Sequence, residues 1–550
     1  MKKYLVDNKK NVFLIILVMA LVASITLFIS FSMAGGHDLN FHLSRIMGLR
    51  DAFKLGMFPI KVYPSYLAGY GYGNGLFYPD LFLYIPAFLS SLGLDITISY
   101  KIFIFLINFF AGYFMYISVK GISKNHKTAL LATLIYMFSS YRLIDLYTRA
   151  ALGESLAFVF APLVLYGFYK ILYENYKEFY ILVIGMTGVI LSHIISTYLL
   201  VLVLFIVCIF NIKKFFRKKE RFIYLLLCVV VTFLLTAYFT VPMLEQTFMS
   251  EFVFTRIDTT VDLVGRAMPI WALFVALPYE FIRPWIPAGI GLIFWYFIYS
   301  FIRNKKTKIK NYKFIKMCML VGLLSLLCST LLFPWWSATS LLAPIQFPWR
   351  LFFVATVFLT MGGSMLVMRI KDSVTKRKII TWSIVVSLIG LIGNVCVSFV
   401  TTYHDNKVGD TTDYAISYGE YLPSNANRDD IVGRGDKIIS SNPIVFNFVR
   451  DGLDLKINFS ANNYEDTSLE LPLLYYVGYK ATIDGNELDV YKADDGLVGI
   501  KLGGFRQGEI EVSYSSTNIT FVSMYISIIT GVIFVSCILA IRGRKKDEKN

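Results

Sequence analysis

Residues 11–46 read NVFLIILVMALVASITLFISFSMAGGHDLNFHLSRI. Up to Ala34 the stretch is an apolar run long enough to cross a bilayer as a helix, which takes about 20 residues for ~30 Å of hydrocarbon. It then gathers His37, Asp38, His42 and Arg45 at the membrane lip. The run comes after Lys2, Lys3, Lys9 and Lys10 as a secretory signal would. It exceeds the length of a signal core and lacks a clear small-x-small cleavage site, so a retained first span is expected.

Apolar runs of similar length recur along the 550 residues, of which 56% are hydrophobic and 16% charged. A mean hydropathy of +0.60 is too high for a soluble globular chain of this size. Long runs, rather than short alternating segments, argue against a transmembrane barrel and predict a polytopic α-helical membrane protein. The formal charge of +16 does not point to nucleic acid, because Lys and Arg cluster in short loops between the runs: KKNV, SVKGISKNHK, NIKKFFRKKER, RNKKTKIKNYK, RIKDSVTKRK and the tail RGRKKDEK. That is the positive-inside pattern, and it places these loops and both termini in the cytoplasm.

About 12 spans are expected, near residues 11–33, 98–119, 127–142, 154–173, 178–192, 195–212, 222–242, 284–303, 313–333, 349–369, 378–400 and 519–541. Residues 78–93 and 268–282 are apolar but short, and are read as re-entrant or juxtamembrane helices. The expected organisation is a transmembrane domain over 1–400 with a long first outer loop at 34–97, an extracytoplasmic β domain at 401–517, and a last transmembrane helix with a basic cytoplasmic tail at 518–550. Within 401–517, KINFSANN, SLELPLLYYVGYKATIDGNELDVYKA, LVGIKLG and GEIEVSYSS alternate apolar and polar residues between turn signals such as DGN and DDG, which predicts a β-sandwich-like domain. The six cysteines sit in or beside apolar runs and form neither a disulfide framework nor a zinc spacing.

If 37–54 is helical, Asp38, His42 and Arg45 fall at i, i+4 and i+7 and share a face. Leu39, Leu43, Ile46, Met47 and Phe53 are then free to lie against lipid, as in an amphipathic helix along the outer surface. The bland alternative is a capping Asp38 with His42 and Arg45 at lipid phosphates. The next outer loop, YRLIDLYTRAALGESLAF, carries Arg142, Asp145, Arg149 and Glu154. Ionisable groups at membrane depth are costly and mark a site, unless they are an ion pair internal to the loop. His193 lies at an outward turn, and Gln346, Trp349 and Arg350 stand where the chain re-enters the bilayer. Arg350 suits bidentate phosphate binding and Trp349 suits stacking on a sugar or isoprenyl chain; an aromatic belt with a snorkelling Arg is the alternative. Walker, HExxH and paired CxxC motifs are missing, and GYGYGNG does not lead into a helix start as a dinucleotide fingerprint would.

HDLNFHLSRIMGL, GYGYGNGLFYPDLFLYIPAFL, RLIDLYTRAALGE, LSHIIST, IQFPWR, GEYLPSN and LPLLYYVGYKATIDG together resemble the bacterial YfhO-type and "6-pyruvoyl-tetrahydropterin synthase-related" membrane proteins. These are similar to the GT-C superfamily of polyprenyl-phosphate-dependent glycosyltransferases. The pterin name implies nothing here, since the histidines at 37, 42, 126, 193 and 404 form no three-histidine cluster. The resemblance implies a GT-C-like fold of about 12 spans and an essential acid in the first outer loop, the place of Asp38. It implies a second acid in the next loop, where Glu154 or, as the alternative, Asp145 stands.

The activity implied by the resemblance is an inverting transfer, at the outer face of a bacterial cytoplasmic membrane, from a polyprenyl-phosphate-linked sugar to an envelope glycan, teichoic-acid or lipid acceptor. Asp38 is expected to be the base. Arg350 is the first choice for the departing phosphate, with Arg45, Arg149, Arg256 and Arg266 as helpers. Glu154 is expected to orient the acceptor, tune Asp38 or help hold a divalent metal such as Mg or Mn. His37, His42, His193, Tyr78 and Gln346 complete the expected substrate contacts, and Tyr70, Tyr72 and Trp349 are expected to offer flat surfaces to sugar faces. The competing classes are a transporter or flippase for lipid-linked sugars and a non-catalytic envelope-assembly scaffold.

Overall fold

The computed structural model describes residues 9–25, 27, 36–256, 263–274, 291–303, 311–337, 341–370, 372–404, 414–461 and 467–547. Each predicted apolar run coincides with a helix: Lys9–Ala23, Ile96–Ser123, His126–Met137, Leu152–Tyr173, Tyr180–Ile190, Ile194–Phe210, Lys219–Met249, Leu292–Arg303, Tyr312–Cys328, Leu351–Val367, Ser373–His404 and Asn518–Asp547. Five helices among the described residues are long and apolar enough to cross a membrane, or six if the pair His126–Met137 and Ser140–Thr148, bent by 50°, is one span. The chain is thus an integral membrane protein, and among the described residues helix length supports five or six of the roughly twelve expected spans. At 1.5 Å per residue, the 11 residues of Tyr180–Ile190 reach only about 16 Å. The short run at 78–93 is helical over Tyr84–Ser91. In the other, Ile270–Phe274 forms a 3-10 turn and 275–282 lies outside the described residues.

The chain divides into two compact units: Met1–Leu39 with Tyr100–Thr232 and Asp258–Gly409, and Asn40–Ser99 with Phe233–Ile257 and Asp410–Asn550. Asn40–Ser99 thus groups with the β-sheet, a different partition from the linear one read in the sequence.

In the first unit, every residue of the Leu351–Val367 helix is buried. Small residues set the close helix approaches. A Cβ at Gly167 would lie 2.2 Å from the backbone nitrogen of Leu182, and one at Gly185 would lie 2.6 Å from that of Val164. Where the bent pair breaks after Met137, Arg142 fills the gap. Its Nη1 donates to the Met137 carbonyl at 3.0 Å and its Nη2 to Asn108 Oδ1 at 2.7 Å, while Asn108 Nδ2 donates to Ser24 Oγ and the Tyr147 hydroxyl.

The second unit carries eight antiparallel strands: β1 Ile439–Ser440, β2 Ile444–Asp451, β3 Asp454–Ala461, β4 Ser468–Leu474, β5 Tyr479–Ile483, β6 Asn486–Lys492, β7 Leu497–Lys501 and β8 Gln507–Tyr514. Their order is β1-β4-β7-β6-β5-β8-β3-β2. The sandwich-like expectation resolves into one barrel-like sheet that turns at β6, because residues 486–488 pair with β5 and 489–492 with β7. The β5–β6 hairpin turns on Asp484 and Gly485, both at positive φ, as a two-residue turn requires.

Residues 69–75, GYGYGNG, form the seam between Asn40–Ser99 and this sheet. A Cβ at Gly71 would meet Leu453 at 2.6 Å and one at Gly73 would meet Tyr476 at 2.6 Å, so the bare backbone lets the sheet close in. Leu474 N donates to the Tyr70 carbonyl and Arg450 Nη1 to the Gly69 carbonyl. Tyr70 and Tyr72 are fully buried in this packing, so they offer no face to a sugar. Leu39, Leu43, Ile46 and Met47 are also buried, which corrects the reading of Leu39–Lys54 as a helix with a lipid-facing side.

A proline interrupts the Lys219–Met249 helix. Pro242 has no N–H, so the carbonyl of Tyr238 lacks its helical partner, and Lys61 Nζ donates to it at 2.9 Å. Ser527 Oγ bridges the same turn, accepting from Tyr238 N and donating to the Leu234 carbonyl. Burial pushes the Lys61 ammonium down to about 8.

Two outcomes are expected. Gly167→Leu should lower thermal stability in detergent by about 1–3 kcal/mol through overpacking against Leu182. Because the fold favours the neutral Lys61 amine, the cost of its buried charge is present below about pH 8 and is relieved as pH rises toward the ordinary lysine range. Wild-type protein should therefore gain stability between pH 8 and 10 relative to Lys61→Met, as thermal melts at stepped pH would record.

Candidate active site

The stretch YRLIDLYTRAALGES does not continue as a regular helix. Ser140–Leu143 passes into a wide π turn at Ile144–Thr148, closed by Arg149 N donating to the Ile144 carbonyl at 2.8 Å, and the Leu152–Tyr173 helix starts three residues later. Such π turns aim side chains that a regular helix would spread apart. Here they converge. Arg149 Nη1 donates to Asp145 Oδ1 at 2.6 Å and to Glu154 Oε2 at 3.1 Å. Ser155 Oγ donates to Asp145 Oδ2 at 3.3 Å, and the Tyr141 hydroxyl donates to Glu154 Oε1 at 2.7 Å. Glu154 also lies in the first turn of its helix, where the peptide dipoles favour a negative charge.

The Leu351–Val367 helix brings Arg350 to the same cluster, with Nε 3.8 Å from Glu154 Oε2. Arg350 Nη1 donates to the Ile345 carbonyl at 3.1 Å and to Gln346 Oε1 at 2.8 Å. Two carboxylates, 0% and 2% exposed, therefore face two guanidiniums and the local charge sums to zero. Breaking up such a group leaves an uncompensated buried charge, which is far more costly than the group itself is stabilising.

Asp38 stands beside this cluster. Its backbone N–H donates to the Arg149 carbonyl at 2.9 Å, and His37 N–H donates to the Thr148 carbonyl at 3.3 Å. The Asp38 side chain is half-buried and acts electrostatically on Arg149 and Tyr100, yet its carboxylate takes no hydrogen bond or ion pair from the described residues. Arg149 is likewise only partly used: Nη1 carries its contacts, while Nη2 and Nε take no partner among the described residues.

The remaining expected residues fall elsewhere in the structure. Trp349 is buried with its ring stacked on Phe347 at 4.6 Å, and Phe347 in turn lies under the guanidiniums of Arg350 and Arg266, so that face of the indole is taken. His193 is the N-cap of Ile194–Phe210, with Nδ1 accepting from Ser196 N at 3.3 Å. His42, Arg45 and Tyr78 belong to the second unit, where Arg45 pairs with Asp80 and stacks on Tyr78 at 3.9 Å. Asp80 does not stand out in the sequence, because its partner lies 35 residues upstream. Its only local signal is an acid set in an otherwise apolar, aromatic stretch, FYPDLFLY.

The donor set does not suit a divalent metal. The oxygens of Asp145 and Glu154 are engaged by Arg149, Ser155 and Tyr141, and among the described residues no three His, Cys, Asp or Glu side chains gather as ligands would.

No protein-family model matches the chain. A protein of Lactococcus lactis subsp. cremoris (strain MG1363), described as uncharacterized, is 25% identical over 312 residues, which cover 54% of this chain and 50% of that protein. The chain thus spans about half the length of the curated relative it matches. Among solved structures it is similar to the arabinofuranosyltransferase AftD from Mycobacteria, at 12% identity and a TM-score of 0.38, over 70% of this chain and 26% of that one.

Arg149→Met should strand two buried carboxylates and lower stability by about 3–5 kcal/mol. Tyr141→Phe, which removes the hydrogen bond to Glu154 and the 3.5 Å contact from Arg149 Nη1, should cost about 1.5–3 kcal/mol. Chemical denaturation in detergent would rank the two; equal losses would show that Arg149 does not hold both acids.

Proposed function

We propose that the chain is a membrane glycosyltransferase that moves a sugar from a polyprenyl-phosphate-linked donor to an acceptor hydroxyl on an envelope glycan, teichoic acid or lipid, with inversion. The site is proposed to face outward from a bacterial cytoplasmic membrane, in line with the basic loops assigned to the other side. One observation carries the reading: a carboxylate without a partner among the described residues, Asp38, is tied through its backbone to an arginine whose Nη2 and Nε are also without partners there.

The two groups fit the two charges that the reaction develops. As the acceptor oxygen attacks the anomeric carbon, its proton passes to the Asp38 carboxylate, while the bond to the phosphate oxygen breaks and negative charge grows on the leaving polyprenyl phosphate. A guanidinium edge presenting Nη2 and Nε matches two phosphate oxygens and stabilises that charge without reorganising. This reading moves the phosphate role from Arg350, already committed to Ile345, Gln346 and Glu154, to Arg149. Glu154 becomes the group that orients Arg149 rather than a second base.

Asp38→Asn should leave the melting temperature unchanged, since the carboxylate supports no contact, and reduce sugar transfer from polyprenyl-phosphate sugars by about 10²–10⁴-fold. Full transfer by this variant would remove Asp38 from the base role. Movement of intact lipid-linked sugar across vesicles without transfer would support transport instead.

A further inference from the structure

The second unit holds a histidine whose protonation state is dictated by its neighbours. Asp80 is buried and accepts from Arg45 Nη2 through one oxygen and from the Tyr63 hydroxyl through the other. Arg45 Nη2 also donates to the Pro79 carbonyl at 2.9 Å, and its guanidinium rests on the Tyr78 ring. With these contacts fixed, Arg45 Nη1 comes to 3.3 Å from Nδ1 of His42.

A guanidinium has only N–H groups to offer, so Nδ1 must be the acceptor of that bond. The imidazole proton then has one place left, Nε2. The structure gives Nε2 no partner among the described residues, although the ring as a whole is only 2% exposed. Phe41 and Tyr78, both half-buried, flank it with centroids at 5.2 and 5.9 Å. Burial first, and then the charge of Arg45, hold the imidazole well below its ordinary range. Arg45 is the charged group bearing on His42, and it is itself paired with Asp80.

We propose that His42 is a fixed neutral donor, through Nε2–H, for a phosphoryl oxygen, and that Arg45, Asp80 and Tyr63 are positioning residues that lock its tautomer. A donor-only group favours an anionic acceptor over a sugar hydroxyl, because charge-assisted bonds are roughly twice as strong as neutral ones. The reading is independent of sugar transfer, since it concerns binding and needs no turnover.

The test uses full-length protein in detergent with ¹⁵N-labelled histidine, His42 being assigned by its loss in His42→Gln. From pH 5.5 to 8 the ring should show the neutral Nε2–H pattern, and its Nε2 resonance should move on addition of a phosphate ligand. Undecaprenyl phosphate and inorganic phosphate, added separately, distinguish a lipid headgroup from the free ion. His42→Ala should weaken binding of the active probe by about 10-fold or more, while His42→Gln, which keeps an N–H donor, should stay within about threefold of wild type. Arg45→Met, which removes the donor to Nδ1, should let the Nδ1–H tautomer appear. Should that variant fail to fold, the wild-type spectrum still decides: an Nδ1–H pattern, titration near pH 6.5, or an Nε2 resonance unmoved by either probe overturns the proposal.

Discussion

A single guanidinium nitrogen holds two carboxylates that have left water. Nη1 of Arg149 sits 2.6 Å from Asp145 and 3.1 Å from Glu154, and the first unit is arranged around that shared contact. It needs the π turn that swings Asp145 and Arg149 to one side, the helix that starts in time to supply Glu154, and the buried helix whose first turn delivers Arg350. Two buried acids repel each other, and the second cation offsets part of that repulsion. The acids of the cluster are engaged by its cations and hydroxyls, whereas the carboxylate of the neighbouring Asp38 takes no hydrogen bond or ion pair from the described residues.

The same logic separates the arginines. In the sequence, Arg45, Arg149 and Arg350 are alike, each standing at the edge of an apolar run. In the structure their remaining capacity differs. Arg45 is enclosed by Asp80, Pro79 and Tyr78, and Arg350 is bound to a carbonyl and an amide, whereas Arg149 meets its acids with one nitrogen only. Donor count after internal satisfaction, rather than the presence of a positive charge, sets which residue can greet a phosphate.

The sequence makes legible whatever depends on neighbours along the chain. The apolar runs are helices, and KINFSANN, LVGIKLG and GEIEVSYSS are β3, β7 and β8, because burial of a helix or of one strand face is written in local periodicity. It hides whatever distant partners set. Asp38, His42 and Arg45 fit one helical face by spacing, yet Arg45 is claimed by Asp80, and no periodicity links positions 45 and 80. GYGYGNG reads as an exposed aromatic loop, but its glycines are spaces for Leu453 and Tyr476, residues nearly 400 positions on. Several helices fall short of spanning length because apolar composition shows that a segment avoids water and not how far it extends.

Gln246 shows how the sheet is held to its helix. Its side-chain amide donates through Nε2 to the Val477 carbonyl at 2.7 Å and accepts through Oε1 from Val477 N at 3.0 Å, the pairing that a neighbouring strand would give. Successive helical residues are about 100° apart, so a shift of the Lys219–Met249 helix by one position would swing this amide away and break both bonds together. The contact therefore works as a register key: the sheet accepts that helix in one rotational setting, and neighbouring settings are excluded by a pair of unmade bonds rather than by bulk.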